Sequence, residues 1–136
     1  MSARPLRLYL VEDSPIMVRL LRELLEDEAA IEVIGQSATA AVAGLEIVTL
    51  APDVVVLDIA LENGNGFDVL RAIAAQQGEV HPVVIVLSNY SSQRYRDEAQ
   101  RLGAECFFDK NGEIVELLKT LVAMAQSTTR RNGSHR

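Results

Sequence analysis

Four apolar residues in a row, Val54-Val55-Val56-Leu57, three of them β-branched, lie between Pro52-Asp53 and Asp58. A continuous run this short reads as a strand buried on both faces, because a strand with one wet face would alternate apolar and polar residues. Such a strand needs a layer over each side, which confines the chain to sheets covered by helices on both faces. The carboxylate that closes the run does not serve packing. In open α/β sheets ligands bind outside the carboxyl ends of the strands, so Asp58 stands where chemistry would be done.

The flanking segments repeat the plan. Leu6-Arg7-Leu8-Tyr9-Leu10-Val11 is a strand signal running into Glu12-Asp13, and Ser14-Pro15 supplies an N-cap and a first-turn proline for a helix. In that helix Ile16, Met17, Leu20, Leu21, Leu24 and Leu25 are expected inward. Residues 31–36 read as a second strand, and residues 40–50 as a second helix with Ala41, Val42, Leu45 and Val48 inward. After Asp58 the loop Glu62-Asn63-Gly64-Asn65-Gly66 is rich in turn formers and leads to a third helix over 67–77. Residues 82–87 form another apolar run, ending at Ser88-Asn89. A fourth helix over 91–102 has a thin apolar stripe (Tyr95, Ala99 and Leu102) and should be the most weakly held. Residues 104–108 make a fifth strand ending at Asp109-Lys110, and Asn111 is placed to cap a last helix with Ile114, Leu117, Leu118, Leu121, Val122 and Ala125 inward. The expected organisation is one domain over 1–126, followed by a disordered basic tail over 127–136.

Five strands alternating with five helices argue for a doubly wound parallel sheet with right-handed crossovers. Every strand-to-helix junction then lies at one rim, which brings together Glu12, Asp13, Asp58, Ser88 and Lys110. Three carboxylates at one place repel unless a cation neutralises them, and an all-oxygen set suits a hard divalent ion, Mg2+ above all. Asp58 then becomes a nucleophile able to accept a phosphoryl group, with Lys110 and the Ser88 hydroxyl balancing charge on its oxygens. Taken singly, Glu12 fits a loop or capping residue equally well, and Ser88 a turn. Lys110 says more, because only two of the 13 basic residues are lysines and a compact ammonium suits one phosphoryl oxygen.

At these positions the chain resembles the receiver domains of two-component response regulators, over about residues 6–125. The resemblance implies a flavodoxin-like (βα)5 fold with strand order 2-1-3-4-5. It implies a phosphoryl group taken onto Asp58 from a histidine kinase or phosphotransfer protein, and Mg2+ (or Mn2+) at the Glu12-Asp13 pair, held by Asp13, Asp58 and the backbone carbonyl of Ala60. Ser88 and Phe107 would be the switch pair, Ala60 and Tyr90 would tune the lifetime of the phosphoryl group, and Gly66 matches the glycine of the loop after the acceptor strand. Output would pass through the fourth and fifth helices and the strand between them, to a downstream protein or by self-association. Beyond its own phosphoryl transfer and dephosphorylation, no enzyme activity is implied. Two positions depart from the pattern: Glu62 replaces the proline shortly after the acceptor, and Asn111 replaces the proline after Lys110, whose preceding bond is typically cis. Phe107 also fits an ordinary core aromatic, since Phe108 beside it must point to the opposite face.

Rival classes lack their signatures. A flavodoxin-type FMN protein needs a phosphate-cradling loop where Glu12-Asp13 would repel the phosphate. A haloacid-dehalogenase-type phosphatase needs an aspartate pair spaced by one residue after its first strand, and a nucleotide hydrolase needs a glycine-rich loop ending in Gly-Lys-Ser/Thr; neither occurs. A non-phosphorylated interaction module of the same fold is the remaining alternative. The net charge of −6 speaks against nucleic acid as a partner. With no apolar run of membrane-spanning length and no secretory leader, the expected location is the cytoplasm. The single cysteine, Cys106, is expected as a small buried hydrophobe.

Overall fold

A computed structural model of the chain describes residues 4–76, 78 and 81–134, with side chains through Ser127. Five parallel strands, β1 (Leu6–Val11), β2 (Ile31–Ser37), β3 (Val54–Leu57), β4 (Val83–Ser88) and β5 (Cys106–Asp109), form one sheet in the order β2-β1-β3-β4-β5. They alternate with α1 (Pro15–Leu25), α2 (Ala40–Leu50), α3 (Gly66–Ala74), α4 (Gln93–Arg101) and α5 (Ile114–Ser134). This is the flavodoxin-like order expected from the sequence. All four residues of β3 are buried, as a central strand between two helical layers must be.

The core divides at the sheet. On one face Tyr9, Val11, Val55, Leu57, Val84 and Val86 meet Ala43 and Ile47 of α2, Val69, Leu70 and Ile73 of α3, and Ala99 of α4. On the other, Leu8, Leu10, Val54, Val56, Ile85 and Leu87 meet Leu21 and Leu25 of α1 and Leu117, Leu121 and Ala125 of α5. Period-two alternation within each strand thus feeds both cores.

Local chemistry explains where the helices start. The Ser14 hydroxyl accepts a hydrogen bond from the Met17 amide with Pro15 in the first turn of α1, and Asn65 and Asp68 cap α3 reciprocally. Asn111 does not cap α5. Its amide donates to Asp109 Oδ1 at 2.8 Å, Gly112 turns the chain with φ +122°, and the helix begins at Ile114.

Two helix faces differ from the periodicity. In α2 the inward residues are Ala43 and Ile47, whereas Val42, Leu45 and Val48 are exposed, as is Ala41. This helix is apolar almost all round, so spacing alone leaves its rotation open, and a polar contact marks the inward side: the fully buried Tyr9 donates its hydroxyl to Glu46 at 2.5 Å. In α1 the buried set is Val18, Leu21 and Leu25; Ile16 and Leu24 face solvent, while Met17 and Leu20 are half-buried. The sheet covers a narrower stripe of this helix than six apolar residues suggest.

α3 ends at Ala74 rather than 77, and α4 spans Gln93–Arg101 rather than 91–102. Residues 1–3, 77 and 135–136 of the expected elements lie outside the described residues. The backbone of α5 continues as helix through Ser134, where a disordered tail was expected from 127. Neither proline nor glycine interrupts the chain between Ile114 and Gly133, so nothing local stops the helix at 126. Among the described residues, no helix is long and apolar enough to cross a membrane.

Candidate functional site

The carboxyl ends of β1, β3 and β5 deliver Glu12, Asp13, Asp58 and Lys110 to one place. Glu12 and Asp58 are both about 95% buried, at 5% exposure each, and Asp13 is half-buried. One carboxylate oxygen from each of Glu12, Asp13 and Asp58 lies within 4.8 Å of the other two. Lys110 reaches across from β5, its Nζ 2.7 Å from Asp58 Oδ2 and 2.9 Å from Glu12 Oε1. One ammonium therefore serves two buried carboxylates, with a third close by.

That imbalance sets the electrostatics. Burial pushes Glu12 above the ordinary glutamate range, with the Asp58 charge adding to it and Lys110 opposing. Burial pulls Lys110 down, but hydrogen bonds and charges from Asp58 and Glu12 outweigh it, so its ammonium titrates above the usual lysine value. The remaining oxygens are held by backbone: Glu12 Oε2 accepts from the Ser14 amide at 3.1 Å, and Asp58 Oδ1 from the Ala60 amide at 3.2 Å. An all-oxygen cluster with excess negative charge is the donor set a hard divalent cation takes.

Gly66 shows how tightly the loop after β3 closes on the acceptor. Its amide donates to the Ile59 carbonyl at 2.8 Å, and a Cβ there would collide with the Asp58 carbonyl oxygen and the Ile59 Cα. Only glycine lets α3 start so near the carboxylate.

Ser88 is fully buried at the end of β4. Its carbonyl accepts from the Lys110 amide at 3.1 Å, and its hydroxyl oxygen accepts from the Tyr90 amide at 3.1 Å. Tyr90 is half-exposed, its ring tilted against Tyr95 at 5.5 Å between centroids. Phe107 lies on β5 opposite Val86, packed on the α2-α3-α4 side, while Phe108 packs on the α1-α5 side. The two phenylalanines thus divide between the two cores. Described peptide bonds are all trans, Lys110-Asn111 included.

Sequence reasoning passed over a polar cluster beside this rim. Arg96 of α4 stacks over the Phe107 ring at 4.8 Å and donates to the carbonyls of Ser91 at 2.9 Å and Phe107 at 3.2 Å. Its guanidinium also lies 3.5 Å from Glu113, whose same oxygen accepts the Asp109 amide at 2.7 Å. The Ser91 hydroxyl donates to Asp109 Oδ2 at 2.6 Å, which with the Asn111 amide holds that carboxylate below its ordinary value. Nothing in spacing singles out Arg96 among so many arginines.

A model of the response regulator receiver domain family matches residues 8–122. A protein-glutamate methylesterase/protein-glutamine glutaminase of Koribacter versatilis is 36% identical over 115 residues, covering 83% of this chain and 31% of that protein. The transcriptional activator DevR/DosR of Mycobacterium tuberculosis is 27% identical over 85% of this chain and 52% of its own length. The chain thus spans about a third to a half of these relatives. Among solved structures, the receiver domain of a LuxO-like repressor of Vibrio parahaemolyticus superposes with TM-score 0.79 at 27% identity, covering 98% of this chain and 99% of its own. The CheB response regulator domain of Thermotoga maritima gives 0.78 at 24%, covering 93% and 98%, and this second likeness speaks to the fold alone.

Proposed function

Because this chain belongs to the response regulator receiver domain family, a family of signalling domains, we propose that it accepts a phosphoryl group on Asp58 from a histidine kinase or phosphotransfer protein. The observation that carries the reading is the placement of Lys110 Nζ between Asp58 and Glu12 beside the half-buried Asp13. Nothing in packing requires three clustered carboxylates, two of them sharing one ammonium; phosphoryl chemistry does.

In the proposed step an Asp58 oxygen attacks the phosphorus of a phosphohistidine. The new P–O bond forms as the P–N bond breaks, and its electron pair returns to the imidazole, which takes up a proton from solvent. Lys110 then exchanges a carboxylate partner for a phosphoryl oxygen, and the Ser88 hydroxyl turns from accepting the Tyr90 amide to donating to the phosphoryl group. Glu12, Asp13, Asp58 and the Ala60 carbonyl would hold Mg2+ (or Mn2+), which when bound supplies charge neutralisation for the incoming phosphoryl group. Departure of the Ser88 side chain makes room for Phe107, so that the α4-β5-α5 face changes and meets a downstream protein or a second copy. Ala60, too small to orient a water, and the bulky Tyr90 set a slow self-dephosphorylation. The setting of the domain is the cytoplasm.

Intact mass after treatment with a small phosphodonor and Mg2+ tests this. We expect one phosphoryl group on the wild type, none on Asp58→Asn, and none after chelation of divalent ions. A mass shift that survives Asp58→Asn overturns the assignment, and a wild type that never takes the group would make the chain a non-phosphorylated interaction module.

A further inference from the structure

We propose that Asp109 and Glu113 are positioning residues for Lys110: they clamp the backbone that carries the lysine and so set where its ammonium meets Asp58. The inference rests on Asp58 as phosphoacceptor and adds the device that aims its cationic partner. Lys110 sits one residue beyond the last paired position of the sheet, Ser88 opposite Asp109. Past it the chain turns at Gly112, with φ +122°. A flexible lysine stem rooted at a strand end, next to a glycine turn, has no intrinsic aim.

The aim comes from the neighbours. Asp109 is tied at four points: its amide donates to Glu113 Oε1 at 2.7 Å, its carbonyl accepts from the Glu113 amide at 3.0 Å, Oδ2 accepts from the Ser91 hydroxyl at 2.6 Å, and Oδ1 accepts from the Asn111 amide at 2.8 Å. Lys110 is therefore strung between two residues that one carboxylate joins. Glu113 in turn is steadied by Arg96, whose other donors fix the Ser91 and Phe107 carbonyls. These contacts connect the end of β5 to the β4-α4 loop, to α4 and to the start of α5.

Asp109 is only half-buried, and its bonds run to Ser91, Asn111 and Glu113 rather than to the acidic trio, so its effect on the reaction passes through Lys110. The carboxylates proposed to hold Mg2+ follow the other strands, β1 and β3, which separates the two functions: loosening the clamp should slow phosphoryl uptake and leave metal affinity alone.

The experiment measures three things on the full chain: the rate of phosphoryl uptake by intact mass, Mg2+ affinity by calorimetry, and amide exchange at residues 109–112. Asp109→Ala is expected to lower the uptake rate on the order of tenfold, because sub-ångström misplacement of a charge-balancing group is costly. Mg2+ affinity should be unchanged and exchange at 109–112 faster. Asp109→Asn, whose amide still offers an acceptor to Asn111 and can donate to Ser91 Oγ, should recover most of the rate, and Glu113→Ala should behave like Asp109→Ala. Should Asp109→Ala fail to fold, Ser91→Ala removes a single bond and carries the same test with a smaller loss. Wild-type uptake in Asp109→Ala, or equal falls in rate and Mg2+ affinity, overturns the clamp. A wild type that takes no phosphoryl group overturns the reading of Asp58 instead, and unchanged exchange at 109–112 would then still reject the clamp.

Discussion

Asp53 and Asp58 bracket the same four-residue strand and meet opposite circumstances. At the amino end, Asp53 receives two bonds from Arg4, at 2.8 and 2.9 Å, and the Arg7 amide at 2.8 Å, with Arg4 open to solvent. At the carboxyl end, Asp58 is buried, shares one lysine with Glu12, and has Asp13 within the same cluster. One aspartate has a cation to itself and a backbone donor; the other competes for its cation in a desolvated place. The first arrangement anchors the strand. The second leaves negative charge uncompensated, which is useful only where a cation or a cationic partner for a phosphoryl group is wanted.

The strongest way to break this contrast is to neutralise each aspartate and follow thermal unfolding with and without Mg2+. Without metal, Asp58→Asn should melt at or above the wild type, because Lys110 keeps Glu12 while like-charge repulsion falls. Asp53→Ala should cost about 1–2 kcal/mol through its lost ion pair and orphaned Arg7 amide. Added Mg2+ at a hundred times its dissociation constant should stabilise the wild type and Asp53→Ala by about 3 kcal/mol and Asp58→Asn far less. Equal destabilisation by the two substitutions, or an Mg2+ effect indifferent to Asp58, would erase the distinction between the ends.

A second measurement sharpens the contrast by asking which part of the molecule responds. With a metal fluoride standing in for the phosphoryl group, amide exchange should change chiefly over residues 88–110 and hardly at all around Asp53 or in α1. The reason lies in how the helices are held. α4 buries one residue fully, Ala99, and leans on Arg96 for polar contacts with the Ser91 and Phe107 carbonyls, whereas α1 buries Val18, Leu21 and Leu25. Segments with little apolar burial shift at low free-energy cost. A response confined to α1, with 88–110 silent, would remove the α4-β5-α5 face as the output.

Much of this was visible in the sequence, for reasons particular residues make plain. Strands buried on both faces announce themselves as unbroken apolar runs, and the polar residue ending each run marks the rim, so Glu12, Asp13, Asp58, Ser88 and Lys110 could be gathered by topology alone. Helix rotation was harder. α2 lacks a polar face, and its orientation accompanies a long-range bond from Tyr9 to Glu46, 37 residues apart, which no local window contains. The clamp around Lys110 was hidden for the same reason: Ser91 and Asp109 are 18 residues apart, and Arg96 and Glu113 are 17. Spacing finds what lies on one face of one element; bonds between the ends of different elements appear only when the chain is folded.

The smallest expected effect is also the one in which the Asp53 pair and the buried acidic cluster should disagree in sign. Burial raises Asp53, but the hydrogen bond and charge of Arg4 and the Arg7 amide outweigh it, so its folded value is depressed. A depressed carboxylate contributes stability above its unfolded value, and that contribution is lost as pH falls through the folded one. Glu12 is raised, chiefly by burial. A raised carboxylate contributes stability that is full below its unfolded value and is lost as pH rises through the folded one. Metal-free unfolding measured from neutral pH to below about pH 4 should therefore show Asp53→Asn converging on the wild type as acid removes the Arg4 pair, by less than about 1 kcal/mol because Arg4 is exposed. Glu12→Gln should behave oppositely, its advantage over the wild type greatest near neutrality and vanishing on acidification. Added salt should shrink the Asp53 difference more than the Glu12 difference, since mobile ions reach the open pair and not the buried one. Parallel pH profiles for the two substitutions would mean that the open Arg4–Asp53 pair and the buried cluster around Lys110 hold their charge in the same way.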